Sequence, residues 1–308
     1  MISSPTAISI TTGVFHFMAI SFALIVATGT LSRWWNPVNS EPWRSPGSVI
    51  ASVSSLVIVL SVLGVGLICA RAESAEPRFS VLVFSKTTGF RHDSIPQGIA
   101  TLKALGGEHG FSVDSTEDAT RFTDAGLVQY QVVVFLSTTG DILDDGEKAA
   151  FERYIRSGGG FVGIHSASDT EYQWAWYGRL VGAYFASHPD IQTGTVHIED
   201  PAHPSTRDLP AVWQRTDEWY NFRSNPRGAV HVLATLDETT YSGGKVGGDH
   251  PIAWCQAIDG GRSWYTAMGH TSESYAEPLF LRHLLGGVEA AAGNAVRCGP
   301  PGMPARRD

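Results

Sequence analysis

Short apolar runs alternate with amphipathic segments along residues 79–164. The runs at 79–85, 111–115, 131–136 and 161–164 are rich in valine and phenylalanine, which predicts β-strands. The segments at 95–109 and 145–156 carry apolar residues on one face, which predicts helices. Strands that alternate with helices at this spacing indicate βαβ units and a largely parallel sheet.

The pattern changes after residue 170, where strands follow one another with little helix between them. One more helix is predicted at 174–181, then strands at 193–199, 229–236, 252–257 and 262–268, and a last helix at 278–287. The tail at 290–308 is small and proline-rich, and we expect it to be disordered. The globular domain is therefore predicted to span residues 79–289.

The stretch 157–169 joins the fourth predicted strand to a polar segment. Gly158, Gly159 and Gly160 are expected to end the preceding helix, because glycine tolerates the left-handed conformation of a helix C-terminus. After the apolar strand the chain reads His165-Ser166-Ala167-Ser168-Asp169. Sites in open α/β sheets form outside the carboxyl ends of the strands, so we expect a functional site here.

Two apolar runs, at 14–31 and 49–69, precede a polar linker at 73–78. Each is near the length that spans a bilayer, and Ala70 and Ala72 form a small-x-small site typical of a secretory signal. Residues 1–72 are thus either a two-helix membrane anchor or a signal peptide with a translation start beyond the first run. Both alternatives predict a secreted, periplasmic or envelope protein that touches membrane only through these segments.

Net charge and cysteine content limit which partners and which cell compartment are expected. The net charge is −8, and no basic stripe with interleaved aromatics is present, which excludes nucleic acid as an expected partner. Cys255 and Cys298 are the cysteines after residue 72, and they are either a disulfide of an exported protein or two free thiols. The 9 Trp and 9 Tyr serve either core packing or the stacking of sugar rings.

Seven short motifs, in order along the chain, resemble the ThuA-like (trehalose utilisation) family. They are Gly89–His92, Gly158–Ser166, Phe185–Pro189, Asp200–Pro204, Asp217–Tyr220, His250–Trp254 and Gly261–His270. The resemblance implies a flavodoxin-like α/β fold, a three-layer sandwich with a largely parallel central sheet, related to class I glutamine amidotransferases. It also implies an association with trehalose and related glycosides.

Amidotransferase chemistry is excluded, because it needs a cysteine at the turn after the strand and this chain has His165-Ser166 there. Cys255 lies inside an apolar strand and is typical of a packed residue. Ser166 is either a replacement nucleophile or a cap for the following helix, and the cap is favoured because the sequence is not Gly-x-Ser-x-Gly.

Histidines supply the remaining candidates for chemistry. His92, His165 and His270 follow predicted strands, so they are expected to converge at one edge of the sheet with Asp217 or Glu218 on the wall. We predict acid–base catalysis by His165, His270, Glu218 and Asp217, and substrate binding by His92, Ser166, His188, Trp219 and Tyr220. A divalent cation such as zinc would bind His92, His165 and His270. His203 and His250 are interpreted as structural.

The sequence thus predicts an exported hydrolase or lyase that acts on a small carbohydrate, either a glycoside or an oxidised sugar. Two alternatives stay open. One is a non-catalytic carbohydrate-binding domain, and the other is an interaction domain of the cell envelope.

Overall fold

The computed structural model describes residues 76–294 and Cys298. The apolar runs at 14–31 and 49–69, the site at Ala70–Ala72 and most of the tail lie outside the described residues. No helix within the described part of the chain is long and apolar enough to cross a membrane.

A nine-stranded sheet forms the centre of the described domain, in the order β2-β1-β3-β4-β11-β10-β9-β6-β7. Its first five positions are parallel. They are occupied by β1 (Ser80–Phe84), β2 (Ser112–Thr116), β3 (Val132–Leu136), β4 (Gly160–Ile164) and β11 (Gly261–Thr266). This strand order is the flavodoxin-like one, so the predicted α/β class and its parallel sheet are confirmed. The five strands are buried on both faces except at β2, which lies at the edge.

Four antiparallel strands extend the sheet beyond β11. They are β10 (Pro251–Ile258), β9 (His231–Asp237), β6 (Gln192–Ile198) and β7 (Val212–Asp217), and a separate two-stranded ribbon pairs β5 (Phe185–Ser187) with β8 (Asn221–Phe222). The sequence pattern predicts β6, β9 and β10 but not β5, β7 or β8.

Within residues 76–294, five α-helices accompany the sheet: α1 (Ile95–His109), α2 (Asp124–Leu127), α3 (Asp145–Arg156), α4 (Ala175–Val181) and α5 (Pro278–Glu289). The ends of α3 agree with the prediction because its start is strongly encoded. The Asp144 side chain accepts a hydrogen bond from the Glu147 backbone, and the Glu147 side chain accepts one from the Asp144 backbone.

The glycine run after α3 differs in detail from the prediction. Only Gly158 has a left-handed backbone, with φ of 97°. Gly159 is required for a different reason, since a Cβ there would lie 2.5 Å from the ring of Tyr154. Gly160 is already the first residue of β4.

The first residues after α5, 290–294, are helical where the sequence predicts the start of a disordered tail. Ala290–Asn294 forms a turn of π-helix, within which Gly293 departs from helical geometry with φ of 103°. Cys298 is disulfide-bonded to Cys255 in β10, across a separation of 43 residues. Of the two alternatives for these cysteines, the disulfide is therefore the one that the structure contains.

Candidate functional site

His165 occupies the sharp turn at the end of β4. Its backbone has φ of 52°, a left-handed conformation that is uncommon for a residue with a side chain. The residue is also fully buried. Strained backbone of this kind persists where the surrounding structure enforces it, and it concentrates at functional sites.

Four titratable side chains meet at this edge of the sheet. His92 follows β1, His165 follows β4, His270 follows β11 and Glu218 follows β7. One nitrogen or oxygen atom from each lies within 4.8 Å of the others. The sequence expectation that His92, His165 and His270 lie together agrees with this geometry, and we call these four residues the histidine–glutamate cluster.

Three of the four approach most closely. His165 Nε2 lies 3.0 Å from His270 Nδ1 and 3.4 Å from Glu218 Oε2. His270 Nδ1 lies 3.0 Å from the same Glu218 oxygen. A carboxylate oxygen and two imidazole nitrogens therefore surround one point.

The tautomer of His165 follows from its other nitrogen. Nδ1 lies 2.8 Å from the backbone oxygen of Ala267, and a carbonyl oxygen only accepts, so Nδ1 carries the proton. In the neutral ring Nε2 then presents a lone pair to His270 and Glu218. A proton or a metal ion is needed to hold three such acceptor-rich atoms together.

The cluster shifts the pKa values of its members in opposite directions. Burial alone would raise the pKa of the Glu218 carboxyl, but hydrogen bonds and charge from His165 and His270 outweigh it and hold this pKa well below its usual range. Burial alone would lower the pKa of His270, but the hydrogen bond and charge of Glu218 raise it above the ordinary value. Burial, reinforced by His165 and His270, lowers the pKa of His92 to about 3.

Ser166 contacts His92 rather than capping a helix. Its Oγ lies 3.3 Å from His92 Nδ1, and the 3₁₀ turn His165–Asp169 has no side-chain cap. The favoured interpretation of Ser166 as a cap was therefore wrong. The ring of His92 is further packed edge-on against Phe90, at 4.9 Å between centroids.

Asp217 does not reach the cluster, although it was predicted to be catalytic. Its carboxylate accepts hydrogen bonds from the backbone N–H groups of Gly269 and His270, at 2.8 and 3.1 Å. It also lies 3.0 Å from the buried guanidinium of Arg215. Asp217 is therefore a positioning residue, which attaches the end of β7 to the loop that carries His270.

Three further residues predicted to bind substrate differ in their exposure: His188 is exposed, whereas Trp219 and Tyr220 are buried. His188 lies at the rim, with Nδ1 3.0 Å from Glu218 Oε1 and a side chain that is 43% exposed. Tyr220 is buried, and its ring centroid lies 4.2 Å from that of His165, so it packs against this member of the cluster. Trp219 is fully buried and donates its Nε1–H to the Gln192 backbone, so it is a core residue without access to a ligand.

His203, Cys255 and Cys298 form a second group with metal-ligand atoms close together. His203 Nδ1 accepts a hydrogen bond from the Ser205 backbone N–H, so the proton of the neutral ring is on Nε2, which faces the two sulfurs. Both sulfurs are used in the disulfide, and burial lowers the pKa of His203 to about 4. This group is therefore structural and not a metal site, which agrees with the interpretation of His203 as a structural residue.

His250 likewise lies outside the cluster, buried between the Glu238 carboxylate and the backbone oxygen of Tyr220.

Two important contributions were not predicted from the sequence. One is the Ala267 carbonyl, which no side-chain pattern reveals. The other is Phe90, which lies in the Gly89–His92 motif beside His92.

Comparisons with known proteins agree with the fold and the motifs. The family model ThuA, described as trehalose utilisation, matches residues 80–291. A search of the curated proteins gave no match.

Two solved structures are similar over most of their length. A ThuA-like protein from Bacteroides uniformis ATCC 8492 is 26% identical, with a TM-score of 0.60 over 71% of this chain and 93% of its own. A ThuA-like protein from Parabacteroides merdae ATCC 43184 is 21% identical, with a TM-score of 0.59 over 71% of this chain and 91% of its own. The second likeness concerns the fold alone.

Proposed function

Because the chain belongs to the ThuA (trehalose utilisation) family, we propose that its histidine–glutamate cluster is the active site of a metal-dependent hydrolase or lyase that acts on a glycoside or an oxidised sugar. The observation that carries the proposal is the convergence of His165 Nε2, His270 Nδ1 and Glu218 Oε2 within 3.4 Å of one another.

These distances suit a zinc-class ion. Metal–ligand bonds of about 2.0–2.1 Å in a tetrahedral arrangement separate the donor atoms by about 3.3 Å. The Nδ1–H of His165 is fixed by the Ala267 carbonyl, which is the outer contact that metal-binding histidines usually make. Two imidazoles and one carboxylate form a ligand set used by catalytic zinc sites, which keep a further position for water or substrate.

The residues around the three ligands supply the other requirements of the reaction. A divalent ion held by His165, His270 and Glu218 would supply Lewis-acid chemistry, the polarisation of a sugar oxygen. His92 is neutral at pH 7 because burial lowers its pKa to about 3, so it can face a substrate without placing a second positive charge beside the ion. His188 contacts the outer oxygen of Glu218 and orients that carboxylate.

Zinc titration of the metal-free protein tests the site. Wild-type protein is expected to bind one equivalent, whereas Glu218→Gln and His165→Asn should bind at least about a hundredfold more weakly, because each loses a ligand. His197→Asn is the matched control, since His197 is a half-exposed histidine near Asp237 and outside the cluster. Equal zinc affinity in all four proteins would contradict the assignment.

Turnover is tested on trehalose and on a 3-keto-glycoside. The zinc-loaded wild-type protein should release product from at least one of them, and Glu218→Gln should not. Zinc binding without product from any sugar would instead support the non-catalytic carbohydrate-binding alternative.

We further propose that the domain acts outside the cytoplasm. The support is the apolar run at 49–69 followed by Ala70-Arg71-Ala72, together with the Cys255–Cys298 disulfide, since structural disulfides persist in oxidising compartments. Mass spectrometry of protein from the native cell should give a chain that begins near Glu73. An intact N-terminus in the membrane fraction would favour the two-helix anchor.

A further inference from the structure

An exposed aromatic ring stands beside the histidine–glutamate cluster. Phe90 is 65% exposed, and it is the aromatic residue among the four large apolar side chains that the described part of the chain exposes. The others, Val128, Ile191 and Val212, are aliphatic. Covering an exposed phenylalanine ring removes apolar surface from water, so a ligand that stacks on Phe90 would gain affinity.

The backbone that carries Phe90 is held firmly in place. Thr139, just beyond β3, accepts a hydrogen bond from the Thr88 backbone N–H at 2.9 Å and one from the Gly89 N–H at its Oγ1, at 3.2 Å. The same hydroxyl donates to the Phe90 backbone oxygen at 2.8 Å. These bonds cross from the loop after β1 to the loop after β3, which is the point where strand order reverses and ligands of such sheets bind.

The ring is also fixed relative to the cluster. It packs perpendicular to His92, and the His92 ring lies 4.8 Å from that of His165 and 5.0 Å from that of His270. The ring of His92 therefore lies between the apolar ring of Phe90 and the imidazoles of His165 and His270. Ligand sites commonly combine an aromatic wall with a few polar groups that fix orientation.

We propose that Phe90 is the stacking wall of a subsite for a closed sugar ring, whose C–H face covers the phenyl ring while its oxygens face the cluster. The proposal rests on the proposed function only for the position of the site. It specifies the ligand more narrowly, because a pyranose ring presents a flat apolar face and an open-chain polyol does not. Phe90 thereby selects cyclic sugars.

Saturation-transfer NMR with trehalose and with glucitol, an open-chain polyol, tests the subsite. Trehalose is expected to receive saturation mainly at its ring C–H protons and to bind more tightly than glucitol. Phe90→Ala should weaken trehalose binding about two- to twelvefold, the range that aromatic contacts of about 0.5–1.5 kcal/mol give, and Phe90→Trp should restore it. Val212→Ala, an exposed apolar residue at the start of β7, should bind as the wild type does.

Three outcomes would overturn the proposal: no trehalose binding by the wild type, equal trehalose binding by Phe90→Ala, or equal binding of glucitol and trehalose. Zinc titration of Phe90→Ala separates this proposal from the previous one. Loss of sugar binding with unchanged zinc affinity supports the stacking wall. A wild-type protein that binds trehalose through Phe90 but binds no zinc would refute the metal site alone.

Discussion

His165 combines a strained backbone with a fixed tautomer at one position. Its φ of 52° is tolerated best by glycine and asparagine, and its Nδ1–H is committed to the Ala267 carbonyl. Replacing it with alanine would therefore change both the chemistry and the backbone energy. Asparagine removes the imidazole but tolerates the left-handed conformation, which is why His165→Asn is the informative variant.

His283 gives the fold a predictable sensitivity to acid. Its ring is fully buried in α5, donating from Nδ1 to the Ser205 backbone oxygen and accepting at Nε2 from Thr266. Burial, together with the charges of Arg215 and His203, lowers its pKa to about 3. In the unfolded chain the pKa returns to about 6.5, so between these values the unfolded state binds more protons.

The contribution of His283 to the free energy of unfolding should therefore be fully present above about pH 6.5, and it should decrease as the pH falls toward 3. The contribution of this one group is about 1.4 kcal/mol per pH unit within the window. Denaturant unfolding at pH 7, 6, 5 and 4 measures it. In His283→Asn the dependence on pH should be shallower by up to one proton, and an unchanged dependence would show that His283 is not the titrating group.

At the scale of single residues, the sequence predicts which histidines meet but not how each acts. His92, His165 and His270 were placed together because each follows a predicted strand. Asp217 and Glu218 are adjacent in sequence, and only the hydrogen bonds of Asp217 to the Gly269 and His270 backbone separate their roles. Such bonds join residues more than fifty positions apart, which no local pattern reveals.

At the scale of elements, β7 shows why part of the sheet was missed. Its residues alternate between exposed and buried, as a half-buried strand should, but two of the three buried positions are Arg215 and Asp217. Because both residues of the buried ion pair are polar, the alternation of apolar and polar positions that would predict β7 is absent from the sequence. By contrast, β1, β3 and β4 are buried on both faces and appear as continuous apolar runs.

The Arg215–Asp217 pair joins β7 to the loop after β11. Asp217→Asn would leave the buried guanidinium of Arg215 without its closest carboxylate, and it would weaken the bonds that hold His270. We expect unfolding free energy to fall by about 3 kcal/mol, with a loss of zinc affinity. Asp208→Asn is the control, because Asp208 pairs with Arg207 on the surface and should change stability by less than about 1 kcal/mol. Equal stability of the two variants would contradict this role.

At the scale of the whole molecule, the disulfide joins the chain after α5 to the antiparallel half of the sheet. It closes a loop of 43 residues, and such a cross-link restricts the unfolded chain. Cys298→Ser is expected to lower the unfolding free energy by about 2–4 kcal/mol. Thermal unfolding of wild type and variant, each with and without a dithiol reductant, measures this. A reductant effect of equal size in both proteins would show that the disulfide is not the cause.

The whole-molecule architecture was the most predictable level. The alternation of strands and helices predicts a parallel sheet, and the parallel sheet predicts an edge where sites form. What could not be predicted is how β7, the last strand of the sheet in spatial order, brings Glu218 to the loops after β4 and β11. That approach depends on the antiparallel strands β6, β9 and β10 and on the Asp217 contacts, all of which are long-range.

X-ray absorption spectroscopy of the zinc-loaded, oxidised protein shows whether His165, His270 and Glu218 hold the ion. We expect one ion with nitrogen and oxygen neighbours at about 2.0–2.1 Å, an outer-shell pattern from two imidazoles, and loss of that spectrum in Glu218→Gln. Sulfur neighbours at about 2.3 Å would place the ion at Cys255 and Cys298 instead. That result, or the absence of bound zinc, would contradict a metal site formed by His165, His270 and Glu218.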